Sequence, residues 1–218
     1  PIVMAGGVWH LKDWEGWLDN DELGPMAFQF GTRPLLTKES PISDGWKKRL
    51  LTLKDGDVHL TRYSPTGFYS SAVSNDFLNE LHERNGRQVP YSSKPSEDHA
   101  AEIKLGPRGR PIYMSAEDKT RALSWIDEGY TEAMKTPDST VIFVAPDKMG
   151  KIRKDQIECM GCLSHCKFSN WAENEEGTTG HRADPRSFCI QKTLQSIIHE
   201  GRIDDQLMFA GTNAYKFG

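Results

Sequence analysis

The amino-acid sequence predicts an α/β protein, on two observations. Two short apolar runs, residues 2–5 and 26–30, are each followed by glycine, as is typical of strands that are buried on both faces. Between them, residues 11–23 carry apolar side chains at helical spacing, and Gly24 followed by Pro25 predicts the end of that helix, because proline cannot continue it. A strand, a helix and a second strand within about 30 residues form the pattern of a parallel β–α–β unit.

The middle of the chain predicts elements of less regular pattern. We expect a short helix within residues 37–53, a strand leading into a turn over 57–67, and a helix over 71–84. Residues 88–111 are rich in proline, serine, lysine and glycine. This stretch therefore predicts a long loop.

Residues 115–135 predict the clearest helix of the sequence. Ser115 and Asp118 have the spacing of a capping box, which marks the first turn of a helix. Two more elements are expected toward the end of the chain: a strand or buried extended segment over 139–146, and a final helix over 186–200. The last part of the chain is thus expected to be a mostly helical C-terminal extension.

Composition places the chain among globular proteins and argues against several classes of partner. Its 218 residues include 27 basic and 31 acidic side chains, for a net charge of −4. That balance gives no general electrostatic attraction to nucleic acid or to anionic membranes. No apolar run approaches the ~18 residues that a membrane helix needs, and the opening PIVMAGG lacks the basic region of a secretory signal. We therefore expect a cytoplasmic protein that binds neither nucleic acid nor membrane.

Four cysteines lie close together in the sequence at the spacing C-x2-C-x3-C-x22-C: Cys159, Cys162, Cys166 and Cys189. Two thiolates at C-x2-C spacing can bind one metal, because a tight turn brings both sulfur atoms to the same side. Three thiolates close in sequence and a fourth farther away suit the corners of a [4Fe–4S] cluster. Zinc, with His165 in a mixed site, and four reduced thiols without metal are the alternatives. The cysteines therefore predict a metal site, with the iron–sulfur cluster favoured over zinc.

Two glycine turns, Gly6-Gly7 and Gly31-Thr32, follow the two predicted parallel strands. Phosphate groups bind well where several backbone N–H groups point outward with no Cβ in the way. In eight-stranded β/α barrels, the recurrent phosphate site is formed by the loops after the seventh and eighth strands. Either turn alone is common in α/β proteins, but two of them one helix apart predict a phosphate site, with the Thr32 hydroxyl as a further donor.

The sequences around these turns are similar to those of a known family. PIVMAGGV followed by MAFQFGTRPLLTKES resembles the C-terminal part of the nitronate monooxygenase (2-nitropropane dioxygenase-like) family, and SPTG at 64–67 resembles that family's turn after the last barrel helix. The family consists of FMN-dependent enzymes with a TIM-type (β/α)8 barrel. The resemblance implies that residues 2–5 and 26–30 are strands 7 and 8 of such a barrel. It also implies the residues of the FMN site: the backbone amides of Gly6, Gly7, Gly31 and Thr32 at the phosphate, with Ala5 and Gln29 near the flavin.

The resemblance further implies how the chain is divided. Residues 1–85 would be the C-terminal part of the FMN-binding barrel, 86–148 a loop and helical connection, and 149–218 a cysteine-rich metal-binding tail. Two strands cannot close a barrel, so the N-terminal barrel portion would be supplied by the same or a second chain. The family's catalytic base, a histidine, would lie in that portion, and none of the histidines in this sequence is assigned the role.

Together these features predict an FMN-dependent oxidoreductase of the nitronate monooxygenase type, which oxidises a small nitronate or a related small-molecule substrate. A metal cluster on the cysteines would pass single electrons to FMN. Members of the family differ in substrate, so a flavin-dependent enoyl-thioester reductase is one alternative. Two others come from different classes: a non-catalytic metal-binding (zinc or iron–sulfur) interaction module, and a phosphate-binding barrel similar to inosine-monophosphate dehydrogenase.

Overall fold

The computed structural model describes residues 1–106, 109–159, 162, 166, 168, 184–200, 203 and 206–217. The chain forms two compact units. The first unit comprises Pro1–Arg62, Tyr69–Leu78 and Gln191–Gly218, and the second comprises Tyr63–Phe68 and Asn79–Ile190. The division at 1–85, 86–148 and 149–218 stays a prediction.

The described residues form a mixture of strands and helices, as expected for the α/β class. The strands are β1 (Ile2–Ala5), β2 (Met26–Gln29), β3 (Val58–Thr61), β4 (Ser70–Val73), β5 (Gln88–Pro90), β6 (Ala101–Leu105), β7 (Arg110–Met114), β8 (Glu132–Lys135) and β9 (Thr140–Val144). The α-helices are α1 (Asp44–Leu51), α2 (Asp76–Gly86), α3 (Ala116–Asp127), α4 (Pro146–Ile157) and α5 (Ile190–Glu200), and short 3₁₀ helices cover Leu11–Trp17, Arg33–Leu36 and Ala214–Phe217. None of the helices that the structure describes is long and apolar enough to cross a membrane.

The predicted parallel pair is confirmed in the first unit. β1 and β2 pair in parallel, from Ile2 opposite Met26 to Ala5 opposite Gln29. The two strands therefore end at the same edge of their sheet, and this places the two glycine turns side by side.

The helix predicted between these strands, at 11–23, is shorter than expected. A 3₁₀ helix ends at Trp17, because Leu18 is extended and Asp19 lies in the left-handed region at φ 53°. The described 3₁₀ helix has no buried residue. Since most helical stability in proteins comes from packing of an apolar face, the periodic leucine and tryptophan residues alone do not extend it into an α-helix.

The core of the first unit lies around α1. Ser43 caps this helix by accepting a hydrogen bond from the backbone of Trp46, and Trp46 and Leu50 are buried beneath it. Complete burial of a leucine stabilises the fold by about 1.5–3 kcal/mol. The other buried members of the cluster are Leu53, Val73, Ile197, Met208, Ala210 and Ala214.

A C-terminal segment, residues 206–217, is part of this first unit. It runs alongside β4, where the Val73 N–H donates to the Met208 carbonyl at 2.8 Å and Phe209 forms an antiparallel bridge with Ala72. Ala210 and Ala214 are buried in the same core as α1. The segment is therefore held in place by β4 and by the core around α1.

In the second unit, the loop predicted at 88–111 is wrong. This stretch contains β5, β6 and the start of β7, and β6 and β7 form an antiparallel hairpin. Ile103 is buried between exposed Glu102 and Lys104, which is the alternation of a strand with one buried face. The proline- and serine-rich residues just before β6 obscured that alternation in the sequence.

The helix predicted at 115–135 is correct in its start and wrong in its end. The Ser115 hydroxyl accepts from the Asp118 backbone at 3.1 Å, as the capping box predicts. α3 ends at Asp127, however, and Gly129 at φ +100° turns the chain into β8, which contains Met134. β8 and β5 pair with β9 on its two sides, so the strand predicted at 139–146 is central to a three-stranded antiparallel sheet.

Other boundaries also differ from the prediction. Residues 71–84 split into β4 and α2, and the final helix begins at Ile190, not at residue 186. α4 has no counterpart among the predicted elements. The described residues contain one parallel strand pair, β1 with β2, and these two strands alone do not form a barrel.

Candidate functional site

The two glycine turns form one edge of the β1–β2 pair. Ala5 and Gln29 are the paired last residues of the two strands, and the turns Gly6-Gly7 and Gly31-Thr32 follow them. Because parallel strands end at the same edge, the sheet register alone brings the turns together.

The first turn needs glycine for its backbone conformation. Gly6 and Gly7 have φ values of +80° and +69°, in the left-handed region that costs other residues roughly 1–2 kcal/mol. A Cβ at Gly6 or at Gly31 would meet no atom within 4 Å. Both positions therefore face open space rather than a packed neighbour.

A cavity of about 290 Å³ lies between the two turns. Five of the six residues predicted for the FMN site line this cavity. The sixth, Ala5, is the last residue of β1 and directly precedes the lining residue Gly6. The lining residues are Gly6, Gly7, Val8, Trp9, Gln29, Gly31, Thr32, Arg33, Gly211, Asn213, Ala214 and Phe217. The structure thus brings the predicted phosphate residues to a single concave site.

The C-terminal segment closes one side of the cavity through two hydrogen bonds. The Gly211 N–H donates to the Thr32 hydroxyl at 2.8 Å. The Asn213 side-chain amide donates to the Gly7 carbonyl at 2.6 Å. Each glycine turn is therefore bonded to the same short segment.

Arg33 supplies the positive charge of the site. Among the described residues that line the cavity it is the only charged one. Its guanidinium donates to the Trp9 carbonyl at 3.0 Å and lies 5.7 Å from the centre of the Trp9 ring. The Trp9 ring in turn packs against Phe217, with centroids 4.4 Å apart. The cavity therefore combines an aromatic wall with one fixed cation.

These features fit the phosphate end of a flavin mononucleotide. The backbone N–H groups of Gly6, Gly7 and Thr32 donate to no backbone acceptor among the described residues outside the strand pairing, and phosphate oxygens are acceptors that such backbone donors bind well. The volume is at the lower end of the ~300–1,000 Å³ of typical ligand pockets, which suits a phosphate and the first part of its chain.

Proton transfer is not a chemistry that this lining supports. The described lining residues include no Asp, Glu, His, Cys or Lys, the side chains that usually act as general acids and bases. The arrangement can bind and orient an anionic group, and the catalytic base is not among its described residues.

The four predicted metal ligands lie in the second unit and are not arranged as a metal site. Cys166 and Cys189 are buried in a core cluster with Phe168, Cys159 is half-buried at its margin, and Cys162 is exposed. Within the described ranges, no group of three or more His, Cys, Asp or Glu side chains is close enough to hold a metal ion. His165 lies outside the described residues. An iron–sulfur or zinc site is therefore not supported by the structure.

A network of charged groups lies elsewhere in the second unit. Arg186 donates to Asp184 and to Asp138, each at 2.7 Å, and these carboxylates raise the pKa of Arg186 above its ordinary value against the effect of burial. Burial alone would raise the pKa of Asp138, but hydrogen bonds from Thr136 and Arg186 outweigh it and lower that pKa. Burial lowers the pKa of Arg84, whose guanidinium donates to the Ser187 carbonyl. These contacts join α2, the turn between β8 and β9 and the residues just before α5, which is a structural role.

Sequence reasoning missed the residues that complete the cavity. Arg33 belongs to the GTR string that carried the resemblance, but it was not assigned to the site. Gly211 and Asn213 are nearly the whole chain length away from the turns they contact, so no local pattern pointed to them. The one available signal is the string GTN directly after the apolar LMFA.

A protein-family model matches the first two thirds of the chain. The sequence model of the family described as nitronate monooxygenase matches residues 1–146, about two thirds of the chain, and covers both glycine turns. No curated protein and no solved structure matches the chain. The chain therefore belongs to the nitronate monooxygenase family, a family of FMN-dependent oxidoreductases with a TIM-barrel fold.

Proposed function

We propose that this chain holds the phosphate of FMN between its two glycine turns, as the phosphate-binding part of an oxidoreductase that oxidises a small nitronate or a related substrate. The observation that carries the proposal is the single cavity between Gly6-Gly7 and Gly31-Thr32, with Arg33 at its wall. A phosphate is the group that such backbone donors and one cation bind best.

The chain's own contribution is binding and orientation. The redox chemistry would be supplied by bound FMN, which accepts the electrons that the substrate loses. The glycine turns would fix the phosphate through their N–H groups, the Thr32 hydroxyl would add a donor, and Arg33 would offset the negative charge. A flavin held at its phosphate end presents its ring in a fixed direction, which limits the poses that a substrate can take.

We also propose that β1 and β2 are the seventh and eighth strands of a β/α barrel. Parallel strands are normally covered on both faces, whereas Ile2 is 40% and Val3 63% exposed. Ala27 of β2 is exposed as well. Further strands, from the same or a second chain, would cover these residues and supply the catalytic base and most of the flavin pocket.

The alternatives differ in what supports them. A reductase of enoyl thioesters would use the same phosphate site, so the cavity does not separate it from a nitronate oxidase. A metal-binding interaction module rests on the cysteine spacing alone. A metal on Cys159, Cys162, Cys166 and Cys189 accordingly stays a prediction from the sequence.

The test of the phosphate site compares two alanine substitutions in the full-length protein. Gly6 and Gly24 both have positive φ, and a Cβ added at either position would meet open space, so alanine carries a similar backbone cost at each. Only Gly6 lines the cavity. We expect Gly6→Ala to weaken FMN binding by about tenfold or more, equivalent to roughly 1.4 kcal/mol, and Gly24→Ala to leave it unchanged.

The measurement is the dissociation constant of FMN for the apoprotein, from the quenching of flavin fluorescence. Equal affinities in the two variants and the unsubstituted protein would contradict the proposed phosphate site. The same would follow if the full-length protein were to bind no FMN at all.

A further inference from the structure

We infer that the C-terminal segment, residues 206–217, positions both glycine turns for phosphate binding, with Gly211 and Asn213 as the positioning residues. The inference rests on the proposed function and deepens it: the phosphate site would be built from three parts of the chain and not from two. The family match ends at residue 146, so this third part lies outside the matched region.

Asn213 fixes the direction of a peptide group in the first turn. Its amide donates to the Gly7 carbonyl at 2.6 Å. In a trans peptide the carbonyl and the following N–H point in opposite directions, so a Gly7 carbonyl held toward Asn213 directs the Val8 N–H the other way. Gly7 itself has φ +69° and is conformationally permissive. The hydrogen bond therefore restricts a turn that glycine alone would leave free to adopt other conformations.

Gly211 fixes the role of the hydroxyl in the second turn. Its N–H donates to the Thr32 Oγ1 at 2.8 Å. A hydroxyl carries one hydrogen and two lone pairs. Because Gly211 occupies a lone pair, the hydroxyl hydrogen of Thr32 is left to donate, and a phosphate oxygen is an acceptor for it.

The segment is well anchored before it reaches the turns. The Val73 N–H donates to the Met208 carbonyl at 2.8 Å, and the Asn75 side chain donates to the Gln206 carbonyl at 2.7 Å. Ala214, just beyond Asn213, is 2% exposed in the core of the first unit. Contacts on both sides of Gly211 and Asn213 therefore fix where these two residues lie.

The far end of the segment is anchored as well. Phe217 packs on the Trp9 ring, and Trp9 is bonded through its carbonyl to Arg33. The cation of the site is therefore connected to the same segment. One short stretch of chain contacts both turns and the aromatic wall that carries the charge.

The experiment replaces Asn213 and measures two ligands that differ only in the phosphate. FMN and riboflavin are titrated into the full-length apoprotein and its Asn213→Ala and Asn213→Asp variants. We expect Asn213→Ala to weaken FMN binding about 5- to 10-fold, the typical effect of one lost hydrogen bond. Asn213→Asp should weaken it further, since a carboxylate cannot donate to the Gly7 carbonyl and repels the phosphate. Riboflavin affinity should not change in either variant.

Asn20→Ala is the matched control. Asn20 also donates its side-chain amide to a glycine carbonyl of the first unit, that of Gly16, at 3.4 Å, and it does not line the cavity. FMN affinity in this variant should equal that of the unsubstituted protein.

The outcomes separate this inference from the proposed function. If the unsubstituted protein binds FMN no better than riboflavin, the phosphate site itself is wrong. If it prefers FMN and Asn213→Ala keeps that preference in full, the positioning role is wrong and the phosphate site stands. If Asn213→Ala loses affinity for riboflavin to the same extent as for FMN, the segment stabilises the fold in general and the positioning role is also wrong.

Discussion

Two features of the sequence predicted a bound group: the two glycine turns and the four cysteines. In the structure, the residues of the first feature come together and those of the second do not. The turns meet at one edge of β1 and β2 and line a common cavity. Two of the cysteines are packed in an apolar core, and no metal-binding group is present among the described residues. The glycine turns therefore converge in the structure, whereas the cysteines are not grouped as metal ligands among the described residues.

The difference lies in what each prediction requires. A site made of backbone N–H groups follows from strand register, because parallel pairing places the ends of β1 and β2 together whatever their side chains do. A metal site requires four sulfur atoms to converge within bonding distance of one point. Sequence spacing permits that convergence but does not enforce it, and a cysteine also packs well as a small apolar residue.

Serine substitutions at two cysteines should give the largest effect and test this contrast. Cys166 is buried and Cys162 is exposed. If Cys166 serves packing, Cys166→Ser should lower the free energy of unfolding by about 1–3 kcal/mol, because the more polar serine loses the transfer free energy that the buried thiol gains in the apolar cluster. Cys162→Ser should change it by less than about 0.5 kcal/mol, as for most exposed positions.

Urea denaturation of the two variants and of the unsubstituted protein measures this difference. A metal held by all four cysteines would make both substitutions costly, together with loss of bound iron or zinc in elemental analysis. Equal destabilisation with metal loss would therefore restore the metal site that the spacing predicted.

A smaller effect on stability is expected from the charged network of the second unit. This network contains carboxylates, whereas the described lining of the cavity contains none. The pKa of Asp138 is lower in the folded protein than its ordinary value of 3.8. A group with a lowered folded pKa contributes stability that is present above its unfolded pKa and is lost as the pH falls through the folded value. Unfolding midpoints should therefore decrease below about pH 4 in part through Asp138.

Asp138→Asn removes that titration. Its urea midpoint should lie below that of the unsubstituted protein at pH 7, and the gap should narrow as the pH falls from 5 to 3. A gap that is independent of pH would show that the ionised form of Asp138 contributes nothing to stability. The effect should be modest, since the Asp138 side chain is 55% exposed and solvent screens its interaction with Arg186.

The sequence predicted the parts of the fold in which local pattern and packing agree. The apolar runs of β1 and β2 and the capping box at Ser115 are local, and each is found where expected. The hairpin of β6 and β7 was missed because proline and serine before it outweighed a short alternation of apolar and polar residues. The helix expected at 11–23 stops early because no buried face supports it.

The candidate site shows the same limit. Gly6, Gly7, Gly31 and Thr32 were identifiable because glycine after a strand has a physical meaning in the sequence itself. Gly211 and Asn213 reach the site only through long-range pairing of the C-terminal segment with β4. No rule of local spacing connects residue 213 with residue 7, so these contacts required the structure.

Backbone amide chemical shifts test the central claim most directly, because the claim concerns N–H groups. The full-length apoprotein, labelled with ¹⁵N, is titrated with FMN and separately with riboflavin, and the amides of Gly6, Gly7 and Gly31 are followed. We predict large shifts of these amides with FMN and much smaller ones with riboflavin, since only FMN carries the phosphate. Equal shifts with both ligands, or no shift of these three amides while FMN binds elsewhere, would contradict the account.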